Sequence, residues 1–101
     1  MAITSAICNS FKQEILEAEH NFTASTGNTF NIALYTSSAT LSASTTAYSS
    51  SNEITNSSGT AYTAGGKALT SVTPTLDSST AVCDFADVSW TSASFTANGC
   101  L

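Results

Sequence analysis

The sequence predicts a mainly β domain, an antiparallel β-sandwich carrying one N-terminal amphipathic α-helix. Three observations carry this. Residues 29–36 alternate strictly, with Phe30, Ile32 and Leu34 on one side and Asn31, Ala33 and Tyr35 on the other, the period of a strand packed on one face. Ile3, Ile7, Phe11 and Ile15 recur every four positions, the period of a helix stripe. Beyond residue 28, turn-forming residues return at roughly 8–12 residue intervals, as short antiparallel strands require.

The helix is expected over about residues 3–20, with Cys8, Leu16 and Ala18 widening the stripe and Lys12, Gln13, Glu14 and Glu17 opposite. Thr4 or Ser5 is the expected N-cap, because a hydroxyl there accepts from the free amides of the first turn. Glu17 and Glu19 oppose the helix dipole, so the C-terminal end is expected to be weak. Ile3, Ile7, Phe11 and Ile15 form the expected contact face, toward the sheet or a neighbouring subunit.

The sandwich is expected over about residues 28–101, making 1–101 one domain. Residues 29–36 give its central strand, with Phe30, Ile32 and Leu34 facing the core. Residues 37–52, rich in Ser, Thr and Ala and holding only Leu41 and Tyr48 as large anchors, read as an extended loop or a weak edge strand near 45–48, and as a contact surface in preference to a mobile segment. Residues 53–55 pair briefly before the turn formers Asn56-Ser57-Ser58-Gly59. Short strands are expected at 60–64 and 67–73, with Gly65-Gly66 between them and Pro74 either ending the second or confining it to an edge. A hairpin connection at 76–80 leads into the strand 81–85. A corner at Ala86-Asp87 would turn Phe85, Val88 and Trp90 inward. Residues 92–97, anchored by Phe95, form the last expected strand.

Charge narrows the function classes. Only 9% of residues are charged, against roughly 25% in an average domain, while Ser and Thr supply roughly a third of the chain. Such a surface fits a strand-rich protein that lies against other protein. Net charge is −5, and Lys12 and Lys67 alone cannot form the basic footprint a nucleic acid needs. No apolar run reaches the ~20 residues of a membrane span, and no signal peptide is legible, so synthesis and retention in the cytoplasm are expected.

The residues with chemistry are few. Cys8, Cys83 and Cys100 include no C-x-x-C, and an odd count leaves one thiol unpaired within a monomer. They read either as small buried hydrophobes or as intermolecular disulfide partners, with Cys100 the foremost and expected to be accessible. His20 beside Glu19 is the only base for acid–base catalysis and reads as a capping or surface residue. Asp84 and Asp87 read as turn-amide acceptors, and Phe85, Trp90 and Phe95 as core. No catalytic, metal or cofactor-binding residue is assigned.

Three ordered stretches carry a resemblance: Ser10-Phe11-Lys12-Gln13-Glu14-Ile15-Leu16 with His20-Asn21-Phe22; Gly27-Asn28-Thr29-Phe30 through Leu34-Tyr35-Thr36; and Tyr62-Thr63-Ala64-Gly65-Gly66-Lys67-Ala68-Leu69 with Asp84-Phe85-Ala86-Asp87-Val88-Ser89-Trp90. Together they resemble a family of small, mostly uncharacterised tailed-bacteriophage proteins encoded among virion structural genes. The resemblance implies a non-enzymatic virion component, expected to decorate or link capsid subunits, with other virion proteins as partners. It implies assembly in the host bacterial cytoplasm and residence in the virion. Family members continue past the segment matching residues 95–99, so an unpaired sheet edge, open to a neighbour's strand, is expected here. The alternatives are a neck, collar, tail or fibre-attachment protein, a carbohydrate-binding receptor module exposing Trp90 or Tyr35, or a small hydrolase built on His20.

Overall fold

In the computed structural model, which describes residues 3–54 and 61–101, the alternating stretch divides into β1 (Phe30–Ile32) and β2 (Leu34–Tyr35). The two halves pair with different partners. β1 runs antiparallel to β3 (Lys67–Leu69), with Phe30 opposite Leu69, and β2 runs antiparallel to β6 (Gly99–Cys100), with Leu34 opposite Cys100. Ala33 and Leu101 extend the second ladder by exchanging both backbone hydrogen bonds at 2.9 Å. On its other side Tyr35 bridges Glu53, and the Ile54 N–H donates to the Leu34 carbonyl at 3.0 Å. β2 therefore has a neighbour on each edge, whereas β1 is paired with β3 alone among the described residues, so only half of the expected central strand is central.

Its buried face is the opposite of the one expected. Ala33 and Tyr35 are buried, with Ala39 and Leu41, and Ile3 and Leu101 pack against them, whereas Phe30, Ile32 and Leu34 are half-buried. Periodicity ranks faces by apolar size, but a tyrosine can occupy a core once its hydroxyl has a partner, and Tyr35 donates to the Ser49 carbonyl at 2.7 Å. Phe30 belongs instead to an aromatic wall. It stacks on Phe22 at 4.5 Å between centroids, meets Phe85 at 5.8 Å, and Phe22 meets Phe11 edge-on at 6.1 Å.

The helix α1 (Asn9–Leu16) is shorter than the expected 3–20. Residues 3–8 are extended because their backbone is claimed by the chain at 41–43: Ile3 bridges Leu41, and the Asn9 N–H donates to the Ala43 carbonyl at 2.8 Å. The cap is consequently Cys8, in the β region and without a side-chain cap bond, rather than Thr4 or Ser5. The helix stops at Leu16 with no basic residue in its last turn, as the misplaced glutamates foretold. The four-residue stripe is divided by this shift. Ile3 joins the core and Phe11 the aromatic wall, while Ile7 and Ile15 stay exposed.

The remaining ladder is a hairpin of β4 (Ser71–Asp77) and β5 (Thr80–Phe85), closed by Ser78-Ser79 with Ser78 at φ 60°. Its register breaks between Val72 and Thr75, where Pro74 interrupts the donor row. The described residues thus form three two-stranded antiparallel sheets rather than a full sandwich. Residues 92–97 are not a strand, and Phe95 instead meets Tyr62 at 5.8 Å and Trp90 at 6.4 Å. Residues 61–64 are likewise not a strand, and the turn read at 56–59 lies outside the described residues.

Candidate functional site

The feature that most repays close reading is one carboxylate. Glu53 is the only acid between Glu19 and Asp77, and it is buried, at 9% exposure. Three donors converge on it. The Tyr48 hydroxyl bonds Oε1, while Oε2 accepts from the Tyr62 hydroxyl at 2.5 Å and the Gly65 N–H at 2.8 Å. Tyr62 in turn accepts the Leu34 N–H at 3.0 Å, which ties the knot to β2.

Burial pushes the Glu53 carboxyl up, but the bonds from Tyr48, Tyr62 and Gly65 together outweigh it and hold the group below its ordinary value. The Tyr62 phenol, desolvated and donating to that anion, is pushed up to about 12. Tyr35 is raised by burial and by the nearby Glu53 charge, and Tyr48 by its bond to Glu53. A carboxylate with all its donors in place is a clamp on the chain, joining the 37–53 loop, the turn at Gly65 and β2. Gly66 completes that turn at φ 81°, where a Cβ would strike the Ile32 carbonyl.

A cleft of about 420 Å³ lies beside α1, and its lining includes Cys8, Glu14 and His20. The groups are not arranged for nucleophilic chemistry. The Cys8 thiol points to the Ser42 carbonyl at 4.0 Å, and His20 Nε2 contacts Glu14 Oε1 at 3.2 Å with its ring against Phe11 at 4.8 Å. His20 joins helix to wall. Asp84 accepts the Phe85 N–H at 2.7 Å, an amide of its own strand rather than of the turn expected. Among the described residues no cluster of three His, Cys, Asp or Glu could hold a metal ion, and no helix is long and apolar enough to cross a membrane.

Tyr35, at 1% exposure, presents no stacking face, and Trp90 is half-buried between Tyr62, Phe95 and the Lys67 ammonium, 5.6 Å from its ring centroid. The large hydrophobics on the surface are Tyr48, at 50% exposure, and aliphatic side chains. Leu76 (73%), Val72 and Val82 are exposed on the hairpin, and Ile7, Ile15 and Leu16 along the helix segment. All three cysteines are free thiols: Cys100 is exposed as expected, Cys83 is exposed rather than buried in its strand, and Cys8 is half-buried. Cys83 is exposed together with the rest of β5 from Thr80 to Asp84.

Nothing in catalytic or metal-ligand spacing points to the Glu53 clamp. Its signal is an isolated acid, in a long uncharged stretch, with a tyrosine on either side at positions 48 and 62. No family model, curated protein or solved structure matches the chain.

Proposed function

We propose that the chain is a bacteriophage virion structural protein without catalytic activity, a capsid decoration or linking subunit that stabilises the shell through protein–protein contacts. The observation that supports this reading is the amount of surface left without a partner. The accessible surface is 6736 Å², about a quarter more than the ~5,400 Å² usual for a folded monomer of this mass. The radius of gyration is 15.0 Å against about 13 Å for a compact chain of this length. Exposed aliphatic residues on a surface with little charge give assembly a driving force. The partners are other virion proteins, the major or minor capsid protein foremost.

Exposed Cys100 and Cys83, with half-buried Cys8, supply thiols for intermolecular disulfides. A reducing host cytoplasm keeps them free during assembly, and oxidation after release locks the contacts. The test is mass spectrometry of intact particles under non-reducing conditions, with copy number measured against the major capsid protein. Hundreds of copies per particle, cross-linked to a shell protein, is the expected result. About a dozen copies linked only to neck or tail proteins would assign the chain there instead, and absence from the particle would overturn the virion reading.

A further inference from the structure

The β4–β5 hairpin has two outer edges, and they are built differently. On β4, Pro74 has no N–H, the register is bulged beside it, and the Thr73 hydroxyl is taken by the Ala24 N–H at 3.1 Å. That edge is guarded against further strands. On β5, residues 80–84 are exposed and carry a single charge, Asp84. Asp77 and Thr80 close the two-residue turn and pair with each other, so the backbone groups of Thr80 and Val82 face β4. Those of Ala81 and Cys83 therefore face outward. The next outward amide, Phe85, is already held by the Asp84 carboxylate.

Two free outward residues with Val82 between them form a self-complementary edge. We propose that β5 pairs antiparallel with β5 of a second copy of this chain, about a two-fold axis at Val82. Ala81 then exchanges both backbone bonds with Cys83 of the second copy, and Cys83 with its Ala81, giving four hydrogen bonds with no rearrangement of the Asp84 contact. The side chains agree with this register. Val82, 39% exposed, meets Val82 of the second copy, and Asp84 falls opposite the Thr80 hydroxyl rather than another acid. Cys83 falls opposite Ala81. The outcome is a four-stranded sheet in the order β4, β5, β5, β4, an isologous contact that closes on itself. The chain as a whole exposes more surface than a compact monomer of its mass, so surface remains for such a contact. The pairing does not depend on the virion reading.

Sedimentation equilibrium of the purified chain should give a monomer–dimer equilibrium. Ala81→Pro removes an outward N–H while leaving the hairpin's own bonds intact, and should weaken the dimer roughly 30-fold or more through the two bonds it deletes. Leu76→Pro, on the guarded edge, should leave the dimer unchanged. Circular dichroism identifies any variant that has unfolded. Independently of those variants, Val82→Cys in a chain whose three native cysteines are Ser should oxidise to a disulfide dimer, because Cα atoms facing across the axis lie about 4.5 Å apart, within disulfide range. A chain monomeric at all concentrations would overturn the proposal. So would a dimer that survives Ala81→Pro in a folded variant, an extended peptide or other protein being then the occupant of this edge, or a Val82→Cys chain that stays monomeric on oxidation.

Discussion

Glu53→Ala deletes the acceptor for three donors at once. Tyr48 is half-exposed and turns to water, while the buried Tyr62 hydroxyl loses its charged acceptor and the Gly65 amide loses its bond inside the fold. Losing charge-assisted bonds in the interior costs about 1.5–3 kcal/mol each, so the variant should lose about 2–4 kcal/mol, a large part of the ~5–15 kcal/mol that holds a small domain together. Glu53→Gln is milder. Its carbonyl can take the Oε2 position and keep Tyr62 and Gly65, while its NH₂ faces Tyr48. The loss is then the charge assistance of two bonds, about 1–2 kcal/mol, or a melting point lower by roughly 5–10 °C. The assay is urea unfolding followed by the fluorescence of Trp90, at pH 7 and again between pH 5 and 3. Because the folded carboxyl is held below its unfolded value of about 4.3, its contribution is complete above that value and disappears as pH falls through the lower folded one. The gap between wild type and Glu53→Gln should therefore narrow on acidification. A Glu53→Ala chain within about 1 kcal/mol of wild type, or a gap independent of pH, would refute the clamp.

Ultraviolet titration should show all three tyrosines ionising above the ordinary phenol value, with a step at about 12 that Tyr62→Phe removes. Since the folded phenol keeps its proton where the unfolded one loses it, this contribution to stability is whole below pH ~10 and lost as pH rises through about 12. Gly66→Ala should cost about 3 kcal/mol or more in urea unfolding, because it combines φ 81° with a collision against the Ile32 backbone, whereas Gly65→Ala, at φ 90° in open space, should cost about 1–2 kcal/mol. Native-state maleimide labelling should modify Cys83 and Cys100 quickly, and Cys8 at least roughly tenfold more slowly.

The parts of this fold that were legible from sequence are those decided locally. Of the β4–β5 hairpin, the turn and β5 were readable, but not β4: the expected strand 67–73 divides at Thr70 into β3 and β4, and β4 runs through Pro74 to Asp77 because the bulge there absorbs the missing donor. The central strand was readable from its alternation, but not which face is buried, because that depends on Ser49 waiting for the Tyr35 hydroxyl 14 residues away. The helix was read too long for a related reason. A four-residue apolar period persists through Ile3 and Ile7, yet the amides at Thr4 and Asn9 are claimed by carbonyls of Leu41 and Ala43. β6 escaped because Gly99 and Cys100 have no strand propensity, and their place is fixed by β2. The Glu53 clamp joins positions 48, 53, 62 and 65, which no periodic pattern links.

The ladders also differ in how far apart along the chain their members lie, and this orders events in time. Phe30 pairs with Leu69 and Leu34 with Cys100, so both ladders that build the interior wait on the closure of long loops. β4 and β5 meet across two residues and form on a scale of about 1–10 μs once the chain is free to turn. The hairpin therefore forms and reopens many times before the core closes, and its β5 edge is presented each time it forms.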